Sequence, residues 1–222
     1  MAHKSGARGT RVSGSLTETW IRFSGAFGIV TPIIAFGCIL SAISSAPGFS
    51  WTDNALSDLG VMSGSTSVIF NFGLIISGIL AGLFAIGVYF SFGKSIPGRS
   101  GAIAFLFSAI ALTAIGIFPE NMKPMHFYAS VTFFALFPIS LLLLTAAYFR
   151  SAKPAKGSFT LAIALFAALV WILEFSLRYV PGVAIPETLS ALAVSLWAVV
   201  IGFQFAKRYP QSSGQPPSTR IL

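Results

Sequence analysis

The run TSVIFNFGLIISGILAGLFAIGVYFSF, residues 66–92, contains no charged side chain and no histidine. A helix of about 20 apolar residues crosses a hydrocarbon core of about 30 Å, so this run is long enough to span a membrane. Because lipid offers no water to backbone amides and carbonyls, the segment must satisfy them internally, as a helix does. The run is continuously apolar rather than alternating, which excludes a barrel strand. We therefore predict a transmembrane helix.

Five further apolar runs of similar character lie at residues 23–45, 100–118, 127–149, 158–179 and 188–206. The chain is 55% hydrophobic and 9% charged, whereas about a quarter of the residues in a soluble domain are charged. These features predict an all-α fold, a polytopic integral membrane bundle of six transmembrane helices. We divide the chain into a cytoplasmic N-terminal tail (1–22), a six-helix membrane domain (23–207) and a cytoplasmic C-terminal tail (208–222).

The charges sort by sign when six spans are drawn with both termini inside, as the positive-inside rule requires. Of the basic residues only Lys123 and Arg178 fall outside, and of the acidic residues only Glu18 falls inside. This pattern predicts a multi-pass protein of the cell membrane with cytoplasmic termini. The inner basic residues are Lys4, Arg8, Arg11, Arg22, Lys94, Arg99, Arg150, Lys153, Lys156, Lys207, Arg208 and Arg220, and the outer acidic residues are Asp53, Asp58, Glu120, Glu174 and Glu187.

The net charge of +8 lies in short loops and tails between apolar runs. We interpret it as a topology signal, so the lipid bilayer is the expected partner and nucleic acid is not. The chain has one cysteine, Cys38, and two histidines, His3 and His126. This argues against a disulfide framework, a bis-histidine haem and a histidine-rich metal centre. We predict no metal and no cofactor, although a mixed carboxylate site stays open.

The first outer connection, residues 46–65, is the longest between spans. It predicts a short interfacial helix, with Thr52 or Asp53 as its N-cap and Gly60 at its end. Leu56 and Leu59 would share its buried side. Trp51 would anchor this segment at headgroup depth.

Several polar side chains lie in or beside the spans and need partners. Glu174 and Arg178 are four residues apart on one predicted helix, so they can pair; a structural ion pair and a functional site both explain them. His126 begins the fourth span, with Ser130 one turn later. It fits an acid–base role or a bond to a loop carbonyl. Asn71 lies in the outer half of the second span and needs a partner from another helix or a cavity.

A set of short segments, taken in order along the chain, carries a family resemblance. The segments are Asn54-Ala55-Leu56-Ser57-Asp58-Leu59-Gly60, Ile69-Phe70-Asn71-Phe72-Gly73-Leu74, Phe118-Pro119, His126, Gly182-Val183-Ala184-Ile185-Pro186-Glu187 and Trp197. In this order the segments resemble an uncharacterised prokaryotic six-span family, domain of unknown function 998, over about residues 23–206. The resemblance implies a six-helix membrane protein without an established activity. It adds weight to Asp58, Asn71, His126 and Glu187.

A more distant comparison is with intramembrane zinc hydrolases of the ceramidase and adiponectin-receptor type. Those enzymes use a serine, an aspartate and three histidines. Ser57, Asp58 and His126 are the residues that correspond here, and two histidines are missing. The comparison therefore does not predict a zinc site of that type.

The predicted function is binding of a small molecule or lipid headgroup in a polar pocket at the outer mouth of the bundle. One alternative is a membrane-embedded lipid-modifying hydrolase that uses His126 with a carboxylate such as Asp58. Another is an accessory or assembly subunit of a membrane complex. The inner halves of the spans carry essentially no ionisable groups, which disfavours a coupled carrier. The residues assigned to the predicted pocket are Asp58, Asn71, Glu120, His126, Glu174, Arg178 and Glu187.

Overall fold

The computed structural model describes residues 6–207, and within the first helix it describes side chains from Leu16 onward. All six long helices are of a length and composition that can cross a membrane. Residues 6–207 contain no strand. The predicted all-α bundle of six spans is therefore confirmed. The helices are α1 (Gly6–Ser44), α2 (Ser65–Ser91), α3 (Ile96–Ile117), α4 (Met125–Arg150), α5 (Pro154–Leu177) and α6 (Ala184–Ala206), with a short 3₁₀ helix at Leu56–Val61 between α1 and α2.

Most of the helices begin before their apolar runs because residues of the preceding connection form the first turn. α3 begins at Ile96, where Pro97 occupies the first turn and the Ser95 hydroxyl accepts a hydrogen bond from the Gly98 amide at 3.4 Å. Proline suits this position because the first amides of a helix have no intrahelical partner. α1 begins at Gly6, within the predicted tail 1–22. The predicted tail 208–222 lies outside the described residues.

The six helices form a ring in which each helix packs against its neighbours in sequence, and α6 returns to α1. An aromatic cluster fills the centre of the ring. The fully buried Trp197 ring lies 5.9 Å from the Phe84 ring and 5.3 Å from the Phe105 ring, between centroids. Its indole nitrogen donates to the Thr160 hydroxyl at 3.1 Å, so this buried donor is satisfied.

Close helix approach depends on small residues, as expected where lipid supplies no hydrophobic drive between helices. At Gly78 an added Cβ atom would lie 2.6 Å from the Thr113 backbone nitrogen. Only glycine therefore permits the observed contact of α2 with α3.

The two ends of the bundle differ in charge. The 3₁₀ helix, its neighbouring loops and the first turn of α6 carry Asp53, Asp58, Glu120 and Glu187. The opposite end carries basic side chains in its connections and helix termini. These are Lys94, Arg99, Arg150, Lys153, Lys156 and Lys207.

Candidate functional site

A narrow apolar cavity runs through the inside of the helix ring. Its volume is about 110 Å³. Along α6 its wall extends from Glu187 to Ala198, which is roughly 16 Å at 1.5 Å per residue. α5 contributes no wall residue. The wall is formed by one face of each of the other five helices, together with Leu56 and Ser57 of the 3₁₀ helix.

Three polar wall residues, one of them a carboxylate, lie at the end of the cavity that the 3₁₀ helix covers. Ser57, Ser130 and Glu187 lie there, while Phe84, Phe105 and Ala198 form the deep end. Two deeper hydroxyls donate to backbone: Thr31 to the Phe27 carbonyl at 2.7 Å, and Ser108 to the Phe133 carbonyl at 3.2 Å. The cavity is thus apolar along its length and polar at one end. Pro32, which lies inside α1, is also part of the wall.

The 3₁₀ helix Leu56–Val61, which we call the loop helix, is held at its N-terminus by three carboxylates. Asp58 accepts from the Ala55 amide at 3.0 Å. Glu187 of α6 accepts from the Leu56 amide at 2.7 Å. Glu120 accepts from the Ser57 hydroxyl at 3.0 Å. Carboxylates accept hydrogen bonds from the free amides at a helix N-terminus, and their negative charge interacts favourably with the partial positive charge there.

These three carboxylates make Asp58, Glu120 and Glu187 one cluster, as the sequence predicts. The three carboxyl groups accept hydrogen bonds from three consecutive residues, Ala55, Leu56 and Ser57, so they lie close together. Of the three residues, only Glu187 lines the cavity. The other two therefore position the loop helix rather than form the cavity wall.

The predicted cap of this helix is wrong. Its N-cap is Ala55, and the capping carboxylate is that of Asp58. Asp53 is fully exposed and accepts hydrogen bonds from the Ser50 and Thr52 hydroxyls. These bonds favour the charged form and lower the pKa of Asp53 from its ordinary value.

Asn54 belongs to the motif at residues 54–60, but the sequence predicts no role for it. Its side-chain amide donates to Asp58 at 2.7 Å, and its backbone carbonyl accepts from the amides of Val183 and Ala184 at 3.1 and 2.8 Å. Asn54 therefore joins the first connection to the start of α6. An asparagine beside a predicted cap was the available signal.

Asn71 finds its partner in the loop helix. Its side-chain nitrogen donates to the Gly60 carbonyl at 2.9 Å. A Cβ atom at Gly60 would lie 2.6 Å from the Asn71 side-chain oxygen. The absence of a side chain at Gly60 thus leaves room for the Asn71 side chain in its observed position. The sequence prediction that Gly60 ends the helix is wrong, because the loop helix ends at Val61.

His126 lies at the start of α4 and is buried, with 7% of its surface exposed. Its Nδ1 atom is 2.8 Å from the Phe118 carbonyl oxygen, and its Nε2 atom is 3.3 Å from the Ser130 hydroxyl. The predicted loop-carbonyl contact is therefore present. Among the contacts of the described residues, His126 has no carboxylate partner.

Glu174 and Arg178 do not join the other predicted site residues. α5 ends at Leu177, and Arg178 adopts a left-handed conformation with φ 46°, exposed to the surroundings. Glu174 is buried, and its Oε2 atom has no hydrogen-bond partner among the described residues. The predicted ion pair is therefore wrong. Burial and the charge of Glu174 raise the pKa of the neighbouring Tyr179 above its ordinary value.

A family model described as "Protein of unknown function (DUF998)" matches residues 29–204. The chain belongs to this family. The match begins inside α1 and ends inside α6, so it includes the loop helix and every residue of the cavity wall except Gly28. No curated protein matches the chain, and no solved structure does.

The donor groups of this DUF998 chain do not form a metal-binding arrangement within residues 6–207. No three His, Cys, Asp or Glu side chains of that range come together in a geometry that could hold an ion. Ser57 and Asp58 lie side by side in the loop helix, whereas His126 contacts Phe118 and Ser130. The resemblance to zinc hydrolases gains no support from this arrangement.

Proposed function

We propose that the protein binds a lipid-like molecule at the outer face of the cell membrane, with an apolar chain in the cavity and a polar headgroup beneath the loop helix. The supporting observation is the cavity itself, which is apolar along roughly 16 Å and carries Ser57, Ser130 and Glu187 at one end. Ligand sites typically combine an apolar wall with a few placed polar groups. Its narrow shape suits a single unbranched chain.

The polar end of the cavity favours a headgroup that donates hydrogen bonds. Glu187 is half-buried there, and one of its oxygens already accepts from the Leu56 amide. A carboxylate has about four acceptor positions, so most of its capacity is open to a hydroxyl or ammonium group. The nearby charges of Asp58 and Glu120 disfavour a phosphate or carboxylate headgroup.

The proposed orientation rests on the charge asymmetry of the two ends. Basic residues lie at the end opposite the loop helix, and an excess of Lys and Arg is typical of cytoplasmic loops. The loop helix and the polar end of the cavity would then face outward. Assignment to a prokaryotic cell membrane stays a prediction from the family resemblance.

Photo-crosslinking in lipid nanodiscs tests the binding proposal. The probes are a diazirine-bearing long-chain amine and the matching fatty acid, and labelled peptides are mapped by mass spectrometry. We expect the amine to label cavity-wall peptides of α1, α4 and α6 more strongly than the acid. Labelling confined to lipid-facing positions, or equal labelling by both probes, would contradict the proposed site and its headgroup preference.

A matched pair of substitutions on α1 separates cavity binding from general lipid contact. Ala35 lines the cavity, whereas Ala26 is exposed on the same helix. We expect Ala35→Phe to block the cavity and reduce amine labelling of its wall at least tenfold. Ala26→Phe adds the same bulk outside and should leave labelling unchanged. Equal labelling in the two variants would overturn the proposal.

The hydrolase that pairs His126 with a carboxylate receives no support from the site. The two ring nitrogens of His126 contact the Phe118 carbonyl and the Ser130 hydroxyl. No contact of the described residues favours an accessory-subunit role over ligand binding.

A further inference from the structure

The tautomer of His126 follows from its two contacts. A carbonyl oxygen only accepts hydrogen bonds, so Nδ1, at 2.8 Å from the Phe118 oxygen, carries the proton in the neutral ring. Nε2 is then the unprotonated acceptor, and Ser130 donates its hydroxyl to it at 3.3 Å. A serine hydroxyl bonded to an imidazole whose other nitrogen is held by a third group is the arrangement of an activated nucleophile.

The Ser130 hydroxyl differs from the hydroxyls of two other serines in the group that accepts its hydrogen bond. Ser130 forms part of the cavity wall, while the buried His126 stands behind it on the same helix. Ser108 also lines the cavity but donates to the Phe133 carbonyl at 3.2 Å. Ser140, on α4, donates to the Phe137 carbonyl at 2.7 Å. A carbonyl of this kind cannot take up a proton near neutral pH, whereas an imidazole can.

We propose that Ser130 is a nucleophile for acyl transfer, with His126 as its general base, acting on an ester-linked lipid held in the cavity. This inference rests on the proposed function, because the ester must lie at the polar end of the cavity beside Ser130. The acyl acceptor is water or a second alcohol. Glu187, at the same end of the cavity, lies where the polar part of the substrate would be.

The reaction balances with these groups alone. Nε2 of His126 takes the Ser130 proton as the oxygen attacks the ester carbonyl carbon, and the new carbon–oxygen bond forms an acyl-serine. The ester carbon–oxygen bond breaks, and the proton on Nε2 passes to the leaving alcohol. Water or an alcohol then attacks the acyl-serine and gives its proton to Nε2. Cleavage of that bond returns the proton to Ser130.

The Phe118 carbonyl is a positioning group in this scheme. It fixes the ring orientation and tautomer, as a carboxylate does in a serine–histidine–aspartate triad. A neutral carbonyl stabilises the imidazolium formed during attack less than a carboxylate does. We therefore expect the reaction to be slower than in enzymes with a complete triad.

Reaction with a fluorophosphonate that carries a long alkyl chain tests the nucleophile directly. The serine oxygen forms a bond to phosphorus, fluoride leaves, and the proton is taken by His126. The full chain in lipid nanodiscs should gain one adduct, which peptide mapping should locate at Ser130. Absence of an adduct in the wild-type protein, or an adduct at another residue, would overturn the proposal without reliance on any variant.

Three variants give the reaction its controls. Ser130→Ala should abolish the adduct, and His126→Gln should slow its formation by about 100-fold or more, the usual contribution of a general base. Ser140→Ala, on the same helix but outside the cavity wall, should react like the wild type. Equal rates in His126→Gln and the wild type would overturn the proposed role of the imidazole.

The crosslinking experiment with the long-chain amine separates this inference from the binding proposal. Cavity labelling that persists in both the wild type and Ser130→Ala, together with no wild-type phosphonate adduct, would show that the acyl-transfer inference is wrong while binding stands. Absence of cavity labelling would overturn the binding proposal and, with it, the substrate of this reaction. Labelling together with a Ser130 adduct supports both.

Discussion

Two polar pairs near the same end of the bundle look alike in sequence and differ in the structure. His126 and Ser130 begin α4, and Glu174 and Arg178 lie near the end of α5; in both cases four residues separate the partners. In the first pair, the Ser130 hydroxyl lies 3.3 Å from Nε2 of His126. The second is separated because the helix ends before Arg178, which turns into a left-handed conformation.

A spacing of four residues predicts a contact only where the helix continues through both residues. α4 begins before His126, and the Phe118 carbonyl holds the ring in place. α5 ends at Leu177, so the geometry that would join residues 174 and 178 is lost. The α4 pair also borders the cavity through Ser130, whereas α5 contributes nothing to the cavity wall.

The largest change in stability should follow from replacement of His126, which is hydrogen-bonded to Ser130. His126→Leu leaves the Phe118 carbonyl and the Ser130 hydroxyl without their partner, which should lower the free energy of unfolding by about 2 kcal/mol. SDS titration of the protein in micelles measures this change. Tyr128→Leu, two residues later on an exposed position, is the control and should change stability by less than about 0.5 kcal/mol. A similar loss in both variants would break the contrast.

A smaller change in stability, of opposite sign, is expected from replacement of Glu174, which forms no ion pair with Arg178. Glu174→Leu removes a buried carboxyl group whose Oε2 atom has no hydrogen-bond partner, so the free energy of unfolding should rise by about 1 kcal/mol. The same SDS titration measures it, with the exposed Ser176→Leu on α5 as the control. Amine crosslinking in the cavity should be unchanged, since α5 does not line it. Destabilisation, or a loss of crosslinking, would give Glu174 a role that its contacts do not show.

The smallest effect concerns the residue that ends α5. Arg178 has φ 46°, a conformation that costs a non-glycine residue roughly 1 kcal/mol. Arg178→Gly removes this cost but adds about 0.5 kcal/mol of unfolded-state entropy, so a net gain of about 0.5 kcal/mol is expected. Thermal unfolding of Arg178→Gly and Arg178→Ala should show a higher midpoint for the glycine variant. Identical midpoints would mean that the left-handed turn carries no strain.

Much of the fold could be predicted because hydropathy adds up along the chain. Each span is recognised within its own residues, and lipid leaves a helix as the backbone solution for an apolar run. The loop helix was predicted for the same local reason, from its leucines and flanking polar residues. Its cap was not, because Asp53 and Asp58 are both acceptable capping residues, and the bond from Ala55 selects Asp58.

The candidate site was predicted only in part. Asp58, Glu120 and Glu187 meet at the loop helix, and Asn71 reaches its Gly60 carbonyl. His126 contacts a backbone carbonyl, which was one of its two predicted partners, and a serine, and its described contacts include no carboxylate. Glu174 lies apart because depth in the membrane, which the sequence indicates, does not specify the side of the ring on which a helix packs.

By itself, the sequence determined the number of spans, their helical state and the concentration of acidic residues at one end of the bundle. These properties depend on the transfer of each segment into lipid and on local charge. The tertiary structure decided which polar groups meet and that five helices enclose a cavity beneath the loop helix. The bond from the Leu56 amide to Glu187 joins residues 131 positions apart. No local pattern encodes such a contact, because it exists only when α6 returns to pack against α1 and brings its first turn to the loop helix.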